Sequence, residues 1–234
     1  RVNFAKAARL AQIAGTTTVL MTGKGEPTLY PEEITEYLEL LAPWGFPFIE
    51  IQTNALEIGR LARDGDRCRV PGLTIETLKR WHALGLNTIA ISVVSDRAEH
   101  NRLVYHEDYP DLGVTIGLLH DIGFTVRLCV MMQQGTVDTP ERVENVLAFC
   151  RANRVEQLTV RPIRKTEAQP DDVGVSAYVS ERGLDREAER AIAAYLRDPV
   201  RSKLLLTLSF GAEIFDVGGQ NVCLSDCLTV NGKG

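Results

Sequence analysis

This sequence lacks the features that mark a membrane, secreted or nucleic-acid-binding protein. None of its hydrophobic runs approaches the roughly 20 residues that a membrane-spanning helix needs. No secretory signal opens the chain, which starts with a helical pattern at Arg1. The 26 Lys and Arg residues are outnumbered by 31 Asp and Glu residues, and the net charge of −5 does not support binding to nucleic acid.

Cysteine and histidine are also scarce. The five cysteines are scattered, which argues against a disulfide framework and fits a reducing, cytoplasmic location. Cys129 in an apolar strand and Cys150 on a helix are predicted to be buried thiols. The four histidines share no metal-ligand spacing. No serine-hydrolase elbow, Walker loop or dinucleotide-binding glycine motif follows any predicted strand, so these common enzyme classes are not indicated.

What the sequence does contain is an alternation of strands and helices. Near-continuous apolar strands between helical patterns predict an α/β fold, in which a parallel sheet covered by helices closes into a full or partial barrel. The periodicity predicts helices at about 3–14, 31–41, 74–84, 109–121, 140–153 and 185–196, and strands at about 17–22, 48–53, 87–93, 124–132, 157–160 and 203–208. Residues 57–72 are predicted as a loop or a short helix, and residues 169–180 as a flexible connection.

One strand-to-loop junction has an unusual composition. The apolar run that ends at Met21 is followed by Thr22, Gly23, Lys24, Gly25, Glu26 and Pro27. Two glycines that flank one residue let the backbone come close to a ligand, because no Cβ stands in the way. Gly25 and Glu26 could accept hydrogen bonds from an ammonium group, through a backbone carbonyl and a carboxylate. The alternative is a tight turn with a solvated glutamate.

This junction and the later strand ends resemble the core of the radical S-adenosylmethionine (radical SAM) enzymes. The junction is similar to the GGEP segment of that family, with Lys24 where a further glycine is usual. The order and spacing of the other strand ends are similar as well: Gln52-Thr53-Asn54, Ile91-Ser92-Val93, Met131-Met132-Gln133 and Thr159-Val160-Arg161-Pro162. The resemblance covers residues 1–165 and leaves residues 166–234 as an extension that completes or covers the barrel.

The resemblance implies a partial (β/α)6 barrel that holds SAM beside a [4Fe-4S] cluster at the C-terminal rim of its strands. Enzymes of this family cleave SAM to a 5′-deoxyadenosyl radical, which abstracts a hydrogen atom from a substrate. The resemblance assigns cofactor binding to Gly23, Gly25, Glu26, Pro27, Thr53, Asn54, Ser92 and Arg161. It also implies an electron donor such as flavodoxin or ferredoxin, and a small-molecule or peptide substrate of unknown identity.

Several of these residues have simpler explanations. Thr53 and Asn54 fit an Asx-type turn as well as a ligand contact. The Ser92 hydroxyl could reach the ribose or carboxylate of the cofactor, or bond to its own backbone. Arg161 could clamp the cofactor carboxylate, or form a salt bridge with Glu26 or another rim acid.

The three cysteines that hold the cluster in this family are missing, since no cysteine precedes Cys68. The chain begins with the helix that should follow the C-x3-C-x2-C loop, so the first strand and the cluster ligands are expected upstream of Arg1. Cys223 and Cys227 form a C-x3-C pair that could hold an auxiliary cluster or zinc, or be two unligated thiols.

Two other functions remain open besides that of a radical SAM enzyme. One is a β/α-barrel enzyme of another class, which would bind a phosphate or sugar ligand at the same rim. The other is a non-catalytic relative that never binds a cluster.

Overall fold

The strand and helix patterns of the sequence fold into an α/β architecture. The computed structural model describes residues 2–23, 25–65, 69–164, 173–209 and 211–225. Their contacts divide the chain into two units, one formed by Arg1–Ser92 and Tyr105–Val126 and the other by Val93–Val104 and Arg127–Gly234. The predicted division at residue 165 stays a prediction.

The elements alternate along the chain as the periodicity predicts. In chain order they are α1 (Val2–Ile13), β1 (Thr18–Met21), a 3-10 helix (Pro27–Leu29), α2 (Pro31–Leu41), a second 3-10 helix (Ala42–Trp44), β2 (Phe48–Thr53), α3 (Leu56–Asp64), α4 (Ile75–Ala83), β3 (Thr88–Val93), α5 (Ala98–Val104), α6 (Leu112–Ile122), β4 (Thr125–Met132), α7 (Pro140–Ala152), β5 (Gln157–Pro162), α8 (Val175–Arg182), α9 (Arg186–Arg197), β6 (Ser202–Thr207), β7 (Glu213–Val217) and β8 (Gln220–Leu224).

Three parallel strands form the sheet of the first unit. β1 pairs with β2 and β2 with β3, with Met21 opposite Ile51 and Ile51 opposite Ile89. Successive side chains of a strand point to opposite faces. Ile51 and Ile89 are fully buried on one face of this sheet. The opposite face carries polar residues such as Gln52, which is only partly buried.

The second unit contains both parallel and antiparallel strands, in the order β4-β5-β8-β7-β6. β4, β5 and β8 are parallel, whereas β7 pairs with β8 and with β6 in antiparallel fashion. β6 lies at the end of this order, and its residues Leu204, Leu205 and Leu206 are 51%, 50% and 52% exposed. The parallel strands confirm the predicted α/β class, and the antiparallel pairs add to it.

Short polar residues cap two of the helices. Thr74 accepts a hydrogen bond from the Thr77 N–H at the start of α4, in the manner of an N-cap residue. Thr139 caps α7 in the same way, with Pro140 as the first helical residue. Cys129 and Cys150 are 5% and 0% exposed, which confirms both as buried thiols.

Other elements agree only in part with the sequence prediction. The stretch predicted as a loop or a short helix contains the short helix α3, which ends at Asp64. The helix predicted from Tyr109 begins at Leu112, because the Asp111 side chain accepts a hydrogen bond from the Val114 N–H. Part of the predicted connection 169–180 is α8, and residues 169–172 of that region lie outside the described residues. Among the described residues no helix is both long and apolar enough to cross a bilayer.

Candidate functional site

The glycine-containing junction follows β1 and has a defined shape. Gly25 has a φ angle of +140°, which residues with a side chain rarely adopt, so glycine is required there for conformation. Glu26 is extended and caps the 3-10 helix Pro27–Leu29, because its side chain accepts a hydrogen bond from the Thr28 N–H. Lys24 lies outside the described residues. The junction is therefore a bent segment that ends in a capped turn.

The half-buried Glu26 carboxylate connects the ends of two neighbouring parallel strands. Its Oε1 accepts hydrogen bonds from the Thr28 N–H (3.0 Å), the Thr28 hydroxyl (2.6 Å) and the Thr53 hydroxyl (2.5 Å). Its Oε2 accepts one hydrogen bond, from the Asn54 N–H (2.8 Å). Hydrogen bonds to a charged acceptor are stronger than neutral ones. Glu26 is therefore fixed against the end of β2.

Thr53 and Asn54 make the local turn that was the alternative to a ligand contact. Thr53 is 2% exposed and its Oγ1 accepts the Ala55 N–H at 2.9 Å. The Asn54 Oδ1 accepts the Leu56 N–H at 2.9 Å, which is the Asx-type arrangement. Ala55, which lies between Asn54 and Leu56, has a φ of +56°, in the left-handed region. Both side chains thus hold the start of α3 and place the Asn54 N–H on Glu26.

A cleft lies directly beside this junction. It has a volume of about 550 Å³ and is lined by Gly23, Gly25, Glu26 and Pro27, by the end of β1 and by one side of α2. The lining from α2 and the residue before it includes Glu33, Tyr30 and Tyr37. No lysine or arginine is among its described lining residues. Carboxylates and aromatic faces both favour a positively charged ligand.

Ser92 forms no hydrogen bond with Glu26 among the described residues, and Arg161 belongs to the second unit. The Ser92 hydroxyl accepts a hydrogen bond from the Gln52 side chain at 3.1 Å, on the sheet face opposite to Thr53. Arg161 is an exposed residue of β5 in the second unit and forms no ion pair with a described residue. Its predicted salt bridge with a rim acid is therefore not seen. Cofactor contacts by Ser92 and Arg161 stay predictions.

Two residues that support Glu26 and Asn54 were not predicted from the sequence. Thr28 is fully buried and gives Glu26 two hydrogen bonds, and its place directly after Pro27 was a signal that could have been used. The Tyr109 hydroxyl donates to the Asn54 carbonyl at 2.7 Å from a side chain that is 1% exposed. Burial, with a smaller effect of nearby Tyr105 and Glu26, raises the pKa of Tyr109 above its ordinary value, so the hydroxyl keeps its proton.

A charged cluster holds the segment before Tyr109 against α3. Arg60 is 5% exposed and donates to Glu57 at 2.5 Å and to Asp108 at 3.3 Å. Arg63 pairs with Asp108 at 2.7 Å. The hydrogen bond from Arg63, helped by its charge and by Arg60, holds the pKa of Asp108 below its ordinary value of 3.8. These ion pairs fix the approach of the segment to the Asn54 turn.

The predicted metal pair can be located only in part. Cys223 lies in β8 with a partly buried side chain, and Cys227 lies outside the described residues. Within the described ranges, no group of three or more His, Cys, Asp and Glu side chains could hold a metal ion. Metal binding by the C-x3-C pair stays a prediction.

Comparison with known proteins gives a likeness of fold. No family model matches the chain, and no curated protein does. A radical SAM methyltransferase from Sphaerobacter thermophilus is similar in structure with a TM-score of 0.50 and 20% identity, over 81% of this chain and 52% of that one. SuiB from Streptococcus suis, solved bound to S-adenosylmethionine, is similar with a TM-score of 0.50 and 16% identity, over 81% of this chain and 39% of SuiB.

These likenesses confirm the predicted resemblance to radical SAM enzymes at the level of the fold. SuiB has also been solved bound to its precursor peptide SuiA, with a TM-score of 0.47 and 19% identity over 67% of this chain and 31% of that one. The chain spans about half the length of the methyltransferase and about two fifths of SuiB in its SAM-bound structure.

Proposed function

We propose that this chain is the SAM-binding core of a radical SAM enzyme. One observation carries the proposal: the Glu26 carboxylate is held by Thr28, Thr53 and Asn54 beside an acidic cleft of about 550 Å³. A volume of this size is within the range of about 300–1,000 Å³ that small-molecule sites occupy. The fold shared with radical SAM enzymes supports the same conclusion.

The chemistry of the cleft suits the charges of SAM. The cofactor carries an ammonium group and a sulfonium, and Glu26 and Glu33 offer negative charge to both. The carbonyl oxygens of Gly23 and Gly25 accept no hydrogen bond from a described residue, so they are available for the ammonium protons. Among the described residues a single donor reaches Glu26 Oε2, which as a carboxylate oxygen can accept a second hydrogen bond. Gly23, Gly25 and Glu26 would therefore bind the aminoacyl end of the cofactor.

The [4Fe-4S] cluster does not fit the described residues, because a cluster needs several thiolates and no such group is found among them. We propose that its ligands lie outside the described residues. The cluster would supply the electron that cleaves SAM to the 5′-deoxyadenosyl radical. The electron donor, of flavodoxin or ferredoxin type, and the small-molecule or peptide substrate belong to the same proposal, as does a cytoplasmic location.

The first experiment measures SAM binding to the 234-residue chain by titration calorimetry. Glu26→Gln removes the charge and should weaken SAM binding about tenfold or more, since a hydrogen bond to a charged group contributes about 1.5–3 kcal/mol. Glu32→Gln is the matched control, because Glu32 is an exposed neighbour on α2 that does not line the cleft. It should change the dissociation constant less than twofold. Equal effects of the two substitutions, or no SAM binding by the unaltered chain, would contradict the proposal.

A second experiment addresses the cluster in the full-length protein. After anaerobic reconstitution with iron and sulfide, we expect iron–sulfur absorbance and the release of 5′-deoxyadenosine from SAM. SAM binding without either signal would instead identify a relative that has no cluster and no radical chemistry. A sugar phosphate added to the same titration tests the other class of barrel enzyme. The acidic lining of the cleft makes us expect no binding of that anion.

A further inference from the structure

A buried tyrosine contacts the same turn that holds Glu26. The Tyr109 hydroxyl donates a hydrogen bond of 2.7 Å to the Asn54 carbonyl oxygen. The Asn54 N–H donates a hydrogen bond of 2.8 Å to Glu26 Oε2. Asn54 is therefore bonded on its carbonyl side to Tyr109 and on its amide side to Glu26, and the three residues form a continuous chain of contacts.

The segment that carries Tyr109 is seated closely on α3. A Cβ at Gly59 would lie 2.1 Å from Pro110 Cγ, so the absence of a side chain at Gly59 is what lets Pro110 pack there. On the other side of Tyr109, Asp108 is bonded to the buried guanidinium of Arg60. Both sequence neighbours of Tyr109 are thus fixed to one helix, which leaves its hydroxyl little freedom to move away from Asn54.

The turn that Tyr109 contacts has a conformation that needs support. Ala55 has a φ of +56°, which is unfavourable for a residue with a Cβ. Several bonds among the described residues oppose this strain. The Ala55 N–H donates to the Thr53 hydroxyl, the Leu56 N–H to the Asn54 side chain and the Gly59 N–H to the Ala55 carbonyl, and the Tyr109 hydroxyl donates to the Asn54 carbonyl. Loss of any one of them should let the Asn54 peptide move.

We infer that Tyr109 is a positioning residue of the proposed cofactor site, which fixes the Glu26 carboxylate by way of Asn54. The inference rests on the proposed function for its consequence, since a displaced Glu26 matters only if the carboxylate serves a ligand. Tyr109 itself is not among the residues that line the cleft. Its effect on SAM passes through the orientation of Asn54 and Glu26.

Tyr109→Phe tests the inference, because it removes the hydroxyl and leaves the ring. We expect hydrogen exchange of the Asn54 amide, followed by NMR, to become about tenfold faster in this variant. We also expect the dissociation constant for SAM to rise about tenfold. Adding Tyr109→Phe to Glu26→Gln should weaken SAM binding no further, because residues that act through one another give non-additive effects.

Tyr195→Phe is the matched control. The Tyr195 hydroxyl bonds to Glu144 in the second unit, so its loss removes a comparable hydrogen bond elsewhere. Asn54 exchange and SAM binding should both stay unchanged in that variant, even if its stability falls.

Two results would overturn the inference: an unchanged exchange rate of the Asn54 amide in Tyr109→Phe, or fully additive effects of Tyr109→Phe and Glu26→Gln on SAM binding. The exchange measurement needs no ligand, so it separates this inference from the proposed function. Absence of SAM binding by the unaltered chain would refute the proposed function. The exchange rate alone would then decide whether Tyr109 holds the turn that carries Glu26.

Discussion

Two buried threonines offer the same chemical substitution with opposite expected results. Thr53 and Thr159 both lie in strands and are 2% and 6% exposed. The Thr53 hydroxyl donates to the Glu26 carboxylate at 2.5 Å and accepts the Ala55 N–H at 2.9 Å. The Thr159 hydroxyl is buried and has no hydrogen-bond partner among the described residues. Valine has nearly the shape of threonine, so each substitution changes mainly the hydroxyl.

The expected magnitudes follow from these contacts. Thr53→Val removes a hydrogen bond to a charged group, which contributes about 1.5–3 kcal/mol, and leaves the Ala55 N–H without its acceptor. We therefore expect the free energy of unfolding to fall by about 2–4 kcal/mol. In Thr159→Val the native state no longer buries an unpartnered hydroxyl, whose burial costs about 1–3 kcal/mol in protein mutational data. The free energy of unfolding should rise by about 1 kcal/mol.

Urea denaturation followed by circular dichroism measures both changes against the unaltered chain. Equal denaturant slopes for the three proteins would show that the shift in midpoint reports stability. Destabilisation of Thr159→Val by an amount similar to that of Thr53→Val would refute the reasoning, because burial rather than hydrogen bonding would then control both sites. A Thr53→Val variant as stable as the unaltered chain would refute the assignment of the Thr53 hydroxyl to Glu26.

Three further predictions concern packing, pH and reactivity. Gly59→Ala should lower the free energy of unfolding by about 2 kcal/mol in urea titrations, because the added Cβ would overpack against Pro110. Gly117→Ala is the helical control: an added Cβ meets open space there, so the free energy of unfolding should rise by up to about 1 kcal/mol. The contacts that lower the pKa of Asp108 stabilise the fold above pH 3.8, and this stabilisation is lost as the pH falls below that value. The difference in free energy of unfolding between the unaltered chain and Asp108→Asn should therefore shrink in acid titrations below pH 3.8. Burial raises the pKa of Cys150 to about 12, so iodoacetamide should leave Cys150 unmodified in native protein and label it in urea, as mass spectrometry would show.

The parts of the fold that could be predicted are those encoded in local patterns. The run of alternating isoleucines in β2 and the capping threonines Thr74 and Thr139 specify their elements within a few residues of sequence. β7 and β8 were not predicted, because each has only five residues and includes polar positions such as Asp216 and Asn221. Short elements of this kind are specified by the strands they pair with, which the sequence does not display.

The candidate site was predictable to the extent that adjacent parallel strands end at one edge. This geometry places the residues after β1 beside the residues after β2, and the structure does bring Glu26 to Thr53 and Asn54. The number of bonds on the Glu26 carboxylate could not be predicted, because it depends on the exact bend at Gly25. The role of Tyr109 could not be predicted either, because Tyr109 and the Asn54 that it contacts are 55 positions apart in the sequence.

The exposed leucines of β6 have a practical consequence for work with this chain. A terminal strand with apolar side chains and unpaired backbone groups is a template on which other extended polypeptides can add. Solutions concentrated for crystallisation or NMR should therefore self-associate, and light scattering should show this as particle size increasing with protein concentration. A lysine in place of Leu205 would be a reasonable first change for improving solubility, since edge lysines commonly block such pairing.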